Sequence, residues 1–489
     1  MMKKTKSWGV LLFLTFLFIA GRLDAYGILM DSVAANDTSS YFDCAKEDFT
    51  KIEAYECHRS ATLPFIIQKL NPNLKYELTD VSEPFFKSEA ELQIQPGTEK
   101  LVIFQTLLSI FSWCFFTLTV VGLFHHELSK ILAAIILFGF AFVPQIADWD
   151  SILLSESMSF SFFILLCGFL IRFLRNCYGS GSLSRRFISG FFMLLSAIFW
   201  IFTRDTNAYF IALLSVVFFI LFWITVFSRR KFQGLMLFLS LCLATCFLFQ
   251  QQTFRNSKRW LLPLLNNLTT NVFPYPDRVA FFEEKGMPVN EAVLSQSGSA
   301  EYNDLYNQKE FIQWAETNGL STYTAFLINM PLWSVQQIFL NLDGFFAENL
   351  QPFFYGKPDE KPHWADKVGN VLHPLSSTVL WIDLFLLLIL FIYTIRKQDA
   401  DSFVWFLFSF LLTIGSIMMI SVAYLGEVRS VWRHVLCGVM PLRLILWIQI
   451  LEILDQALDA QPSPPIINRL GGKSKWPEAD KIQDDQGII

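Results

Sequence analysis

Long apolar segments, about ten of them, set the limits on what this chain can become. The first begins at Leu11 and the last ends near Leu451. A run of about 18 or more apolar residues bounded by charges matches the hydrocarbon thickness of a bilayer. With 53% of 489 residues hydrophobic and only 17% charged, such runs repeat along the chain rather than mixing with polar sequence. The expectation is an all-α polytopic membrane protein of about ten transmembrane helices, with two large extracytoplasmic loops.

Beyond an N-terminal span over Trp8–Ala20, the expected spans are 101–123, 130–147, 152–171, 187–203, 208–227, 232–250, 376–395, 403–424 and 435–452. The basic start and short apolar run also resemble a signal peptide, but Gly21–Ala25 makes a poor small-residue cleavage site, so a retained helix is expected. Lys130, Arg172, Arg175, Arg185, Arg186, Arg229, Arg230, Lys231, Arg396 and Lys397 fall in alternate short connections. The intervening short connections hold only Arg204, Arg429 and Arg433. This positive-inside pattern places both termini in the cytoplasm of a multi-pass cell (inner) membrane. The chain divides into an N-terminal membrane module (1–250) with its first outer loop (21–100), a large extracytoplasmic region (251–375), C-terminal membrane helices (376–454) and a polar cytoplasmic tail (455–489). Pro462, Pro464 and Pro465, with few large apolar residues, make that tail read as disordered.

In the first loop, Cys44 and Cys57 read either as a disulfide on the oxidising side or as two unpaired thiols. The other six cysteines lie in or beside helices and read as apolar fillers. Asn36 and Asn267 open glycosylation acceptor patterns on the same side. In the second loop, Trp260–Leu265 is apolar enough to lie in the membrane interface. A helix over 277–286 is expected to end at Gly286, and further helices are expected over 302–326, with another apolar stretch from Pro331 to Phe346.

The chain holds no Walker loop, dinucleotide fingerprint, zinc-protease motif or Cys-x-x-Cys, and His125-His126 has no partner cluster in sequence. Ionisable residues gather instead at the outer ends of the spans. Asp24 and Asp31 follow the first span, with Asp37 and Asp43 beyond them. Asp148, Asp150 and Glu156 surround the turn between the third and fourth, and Arg204 and Asp205 join the fifth to the sixth. Glu427, Arg429, Arg433 and His434 precede the last span. Charges at a membrane boundary are costly unless paired or hydrated, so their collection on one face marks a site. Their types suit sugar transfer from an isoprenoid phosphate. A carboxylate takes the proton of the attacking oxygen, and arginines bind the departing phosphate bidentately.

The chain resembles the C superfamily of glycosyltransferases, multi-spanning enzymes that use polyprenyl-phosphate sugars. The resemblance rests on Met30-Asp31-Ser32, on Leu154–Ser157, on Thr203–Asn207, on Asn271 through Gly286-Met287-Pro288, and on Gly426–His434. It implies an inverting transfer to a hydroxyl acceptor with a first-loop aspartate as general base. Asp31 takes that place before Asp24, with Asp37 and Asp43 behind. Asp148 or Asp150 is expected to orient the acceptor or pair with a basic group. Glu156 is expected in structural pairing or acceptor contact. Arg433, with His434 beside it, leads for the donor phosphate. Arg204 either holds phosphate or pairs with Asp205. Arg443, about eight residues into the last apolar run, must be paired or face a polar cavity, near the donor phosphate or in an internal salt bridge. Glu427 is expected as a structural or acceptor-side residue, or as the partner of Arg433. The first loop lacks the adjacent acidic pair of many relatives, so the resemblance implies no firm cofactor and leaves a divalent metal possible but not favoured. The implied partners are a polyprenyl-phosphate sugar, a glycan, glycolipid or protein acceptor, and membrane lipids, without nucleic acid. Two alternatives stand beside this reading: a ligase moving a preassembled glycan from a lipid pyrophosphate, and a lipid or polysaccharide transporter. Transport predicts duplicated halves or mid-depth polar breaks, and no internal duplication is visible.

Overall fold

The apolar runs fold as helices because lipid offers no partner for a backbone N–H or C=O, and a helix satisfies both within itself. The computed structural model describes residues 4–25, 32–35, 37–71, 97–179, 181–227, 232–298, 303–351 and 363–459. Asp31, Asn36 and the tail beyond 459 lie outside them.

From the N-terminus, α1 (Lys4–Ala25) leads to α2 (Thr38–Cys44) and α3 (Thr62–Leu70) of the first loop. Membrane helices follow as α4 (Glu99–Val121) and α5 (Glu127–Phe142), with the short α6 (Pro144–Ala147) after them. Next come α7 (Glu156–Tyr178), α8 (Leu183–Ile201), α9 (Asn207–Phe227) and α10 (Gln233–Asn256). The large loop carries α11 (Leu261–Asn267), α12 (Pro276–Glu284), α13 (Glu291–Leu294), α14 (Asn303–Tyr306) and α15 (Lys309–Trp314). It continues through α16 (Leu320–Asn329), α17 (Pro331–Leu340), α18 (Leu342–Phe346) and α19 (His363–Leu372). Three more membrane helices close the chain: α20 (Thr378–Lys397), α21 (Ala400–Gly426) and α22 (Val431–Asp459).

Among the described residues, nine helices are long and apolar enough to cross a membrane. Counting α5 with Pro144–Ser151 as one broken span makes ten. That pair bends by 53°, because Pro144 lacks the N–H that would continue α5 and holds Val143 extended. The break turns Asp148 and Asp150 back into the bundle instead of toward solvent. The chain is thus an all-α multi-pass membrane protein. Its only extended pairing among the described residues is one bridge, between Val33 and Ile152. There Val33 donates to Ser151 and receives from Leu153, both at 2.9 Å, which fastens the first loop to the start of α7.

Helices in lipid gain little from burying more hydrocarbon, so close contact between small residues and neighbouring helices does the packing. Gly438 of α22 meets α21 so closely that an added Cβ would stand 2.7 Å from the Ser416 carbonyl. Gly168 likewise lies against Phe115, and Gly415 against Phe210. On the face opposite the large loops, Asp455 of α22 accepts from the backbone N–H groups of His125 and His126, each at 2.9 Å, so the α4–α5 connection is tied down there.

The large loop has a core of its own, built from Trp260, Leu264, Leu265, Phe282, Trp314 and Phe326 among others. Of the apolar segment Trp260–Leu265, the side chains of Trp260, Leu261, Leu264 and Leu265 are buried in this core, and Leu262 is exposed. The helix expected over 277–286 forms as α12, and the chain leaves it through Gly286 at φ +83°, a conformation that favours glycine. Asn267 is fully buried and donates to the carbonyls of Pro263 and Gly426, so its acceptor pattern is not available for glycosylation.

Candidate active site at the loop face

Five charged side chains from four parts of the chain meet where the helices reach the two large loops. Arg433, in the first turn of α22, donates from Nε to Glu156 at 2.5 Å and from Nη1 to Asp37 at 2.7 Å. Glu156 opens α7 and is fully buried, and Arg204 of the α8–α9 turn reaches the same oxygen at 3.2 Å. Asp37, just before α2, also accepts from Arg59 at 2.6 Å, while Arg59 Nε donates to Ser40 at 2.6 Å. Among the described residues, three guanidinium groups and two carboxylates share this cluster. Guanidinium groups held this way keep donors suited to carboxylate or phosphate oxygens.

The electrostatics of Asp37 follow from its neighbours. Burial alone would raise its carboxyl, but Arg433 and then Arg59 outweigh that and hold it at about 2. It is therefore a fixed anion and a weak proton acceptor. Glu156 keeps its second oxygen, Oε2, buried without a hydrogen-bond partner among the described residues.

A second group lies beside the first. Asp205 receives Arg259 through both oxygens at 3.0 and 3.1 Å, with Gln250 at 2.6 Å and Ser60 at 3.2 Å. Arg259 also donates to the carbonyls of Tyr55 and Cys57, joining the large loop to the first. Cys44 and Cys57 are disulfide-bonded, which closes the segment that presents those carbonyls. His58 lies 3.5 Å from Cys57 Sγ. Its ring is held below the ordinary histidine value by burial and by Arg59. These three residues are the one group with metal-ligand spacing among the described residues, and the disulfide has already consumed both thiolates. Arg433 lies between Asp37 and Glu156 and pairs with both.

The turn that carries Arg433 is held by the large loop. Asn266 donates to both oxygens of Glu427 at 3.0 Å, Asn267 to the Gly426 carbonyl at 2.8 Å, and Tyr323 to the Leu425 carbonyl at 2.8 Å. Glu427 also caps the backbone N–H of Arg429 at 2.8 Å. Burial raises its carboxyl despite these donors.

The structure changes several pairings expected from sequence. Arg433 is bound by Glu156 and Asp37, not by Glu427. Arg204 turns to Glu156, and its neighbour Asp205 turns to Arg259. Asp150 is buried against Arg22 of α1, with Ser157 at 2.5 Å, and Asp148 is buried beside it. Asp24 is exposed at the end of α1. Arg443 donates to the backbone carbonyls of Pro374, Phe346 and Glu348 at 3.0 to 3.2 Å. It sits among the loop ends as a clasp, apart from the five-residue cluster and without a carboxylate partner among the described residues. His434 is half-buried next to Arg433. Arg22, Arg59, Arg259 and Gln250 were missed. Arg22 carried a signal in being a basic residue at the expected outer end of a span, against the expected positive-inside pattern.

No family model matches the chain, and no curated protein matches it. Solved structures do. The archaeal oligosaccharyltransferase AglB from Archaeoglobus fulgidus, in complex with an inhibitory peptide and a dolichol-phosphate, matches at 12% identity and a TM-score of 0.38. That match covers 96% of this chain and 54% of the other. The apo form of the Archaeoglobus fulgidus oligosaccharyltransferase matches at 13% identity and TM-score 0.40, over 94% and 53%. The same enzyme tethered to an acceptor peptide with the NVT sequon matches at 14% and 0.40, over 94% and 52%. The chain spans about half the length of each of these structures. All three are described as oligosaccharyltransferases. The expectation of transfer from a polyprenyl-phosphate sugar to a simple hydroxyl is set aside.

Proposed function

We propose that this chain is a membrane glycosyltransferase of the C superfamily that takes an assembled glycan from a lipid phosphate or pyrophosphate and transfers it at the loop face. The observation that carries the reading is the Arg433 cluster. It joins Arg433, Arg204 and Glu156, at the ends of membrane helices, to Arg59 and Asp37 of the first loop, at the level where the phosphate of a bilayer-held carrier would lie. In the reaction, the acceptor's nucleophilic atom bonds to the anomeric carbon of the glycan. The bond from that carbon to the phosphate oxygen breaks and its electron pair stays on the lipid phosphate. The acceptor's proton passes to a carboxylate, for which Asp31 is the proposed base. Arg433 and Arg204 are the proposed partners of the charge developing on the leaving phosphate. Asp37 and Glu156 hold Arg433 in place between them.

Orientation follows the basic residues: the loop face is extracytoplasmic and both termini are cytoplasmic. Thiol labelling of Lys69→Cys and Glu310→Cys, both exposed, from outside intact cells, with Arg185→Cys protected, supports it, and the reverse pattern overturns it.

Reconstituted protein offered lipid-phosphate and lipid-pyrophosphate glycans, with a sequon peptide as the first acceptor, tests the function. Two of the matched structures contain a peptide, which makes that acceptor the natural starting point. Mass analysis should show the intact glycan on the peptide. Unchanged lipid-linked glycan with every donor, in protein that remains folded, overturns the reading.

A further inference from the structure

Two helices of the loop-face layer present apolar surface that no part of the described chain covers. Between Glu316 and Asp343 the sequence holds no charged residue, and this stretch folds into α16 and α17, broken at Pro331. On α17, Ser334 turns into the protein. Leu332, Val335, Phe339 and Leu340 lie on the opposite side and are exposed, Leu332 by 85%. The second helix, α19, has three distinct faces. Ala365, Gly369 and Leu372 pack inward, Asp366, Lys367 and Asn370 form a polar side, and Trp364, Val368 and Val371 form an exposed apolar stripe that continues to Leu375.

Water disfavours such surfaces in proportion to the apolar area left exposed. Contiguous apolar patches are therefore rare on proteins surrounded by water. Neither helix can cross a bilayer. Ten residues rise about 15 Å, half of the hydrocarbon thickness of about 30 Å.

The position of the rings indicates what covers these faces. Phe339 stacks on Trp381 with centroids 6.2 Å apart and planes 13° from parallel. Trp381 lies near the start of α20, whose exposed residues include Ile382, Phe385 and Leu388 along a membrane span. Trp364 stacks in the same way on Phe142, 5.9 Å away at the loop end of α5. Both stripes therefore continue surfaces that already face acyl chains, at the level where the spans end. A helix with a water face, a protein face and a lipid face is suited to the plane of the interface.

We infer that α17 and α19 are seated in the loop-side leaflet, with their exposed apolar stripes in the acyl-chain layer, one beside the start of α20 and the other beside the loop end of α5. The layer beside the active-site cluster is thereby moored to the bilayer. The hairpin is also bonded to the end of α21, through Asn341 to the Tyr424 hydroxyl at 2.7 Å and through Tyr323 to the Leu425 carbonyl. Those bonds fix the height of the turn leading to Arg433 relative to the lipid. This inference does not depend on the reaction proposed above.

Photo-crosslinking on the full chain tests it in vesicles of phosphatidylethanolamine and phosphatidylglycerol. Benzoylphenylalanine replaces Leu332 or Val371. The same probe at Phe385 on α20 is the lipid-facing reference, and at Lys367 the water-facing one. Mass analysis should show phospholipid adducts at Leu332 and Val371 in yields comparable to Phe385, with a loss of the adduct at Lys367. A crosslink to a second copy or to another protein overturns the inference. So does the absence of adduct at Leu332 and Val371 when Phe385 gives one.

Discussion

Arg433 and Glu156 stand 277 residues apart in the chain and meet at 2.5 Å, joining the first turn of α22 to the first residue of α7. Breaking a buried pair by removing one partner costs about 3–5 kcal/mol, because the other charge is left without compensation. Glu156→Gln should therefore lower thermal stability in detergent clearly, although it changes few atoms. Light-scattering or fluorescence melts read this directly. A melt matching the unaltered protein would mean that Arg433 takes its whole stabilisation from Asp37.

If Arg433 contacts the carrier phosphate, Arg433→Lys should restore donor binding only in part relative to Arg433→Ala, because an ammonium lacks the planar fork of donors. Binding of a short polyprenyl phosphate to folded variants is the measurement. Equal affinities for the Ala variant and the unaltered protein would make Arg433 a structural residue and leave the phosphate to Arg204.

Asp37 gives a pH dependence with a definite sign. Its folded value, about 2, lies below the ordinary 3.8. The stability it contributes is thus fully present above about pH 5 and is lost as pH falls toward 2. The difference in melting temperature between the unaltered protein and Asp37→Asn should be flat from pH 8 to pH 5 and shrink below it. A difference that shrinks already between pH 7 and pH 5 would place the titrating group elsewhere.

The architecture was largely legible in the sequence because a span leaves a long local record. The helices with both ends marked, such as α9 and α20, fall close to their expected bounds. The broken third span was not legible, since Pro144 predicts a break but not its direction. The site was readable as a set of residues and not as a set of pairs. Arg204 and Asp205 are adjacent, yet each turns to a partner brought by another helix, because neighbouring side chains at a helix start point to different sides. Asn267 failed as a glycosylation acceptor for a related reason: a three-residue pattern says nothing about burial. Arg443 was expected to need a partner within the membrane, and it found carbonyls at the ends of loop segments, which sequence does not place.

Tyr323 tests whether the large loop positions the site. Its hydroxyl lies 3.0 Å from Asn267 Oδ1 and 2.8 Å from the Leu425 carbonyl, so Tyr323→Phe removes a clamp on the turn before Arg433 while keeping the ring. The loss of a typical buried hydrogen bond is about 1 kcal/mol. A modest drop in melting temperature together with weaker donor binding is expected. Unchanged donor binding with the same drop in stability would show that the clamp serves only the loop's own core.

The base and the organising anion can be separated by a pair of variants in the first loop. Asp31 is the proposed proton acceptor, and Asp37 is a pinned anion whose low basicity suits it to holding arginines. Asp31→Asn should keep the melting temperature and donor binding and reduce turnover by at least about 10²-fold, the lower range for a positioned acid or base. Asp37→Asn should instead weaken folding and donor binding together, because Arg433 and Arg59 both lose a partner. The measurements are melting temperature, donor affinity and single-turnover transfer on both proteins. If Asp31→Asn turns over normally while Asp37→Asn is well folded, binds donor and is inactive, the two roles are reversed and Asp37 takes the proton despite its neighbours.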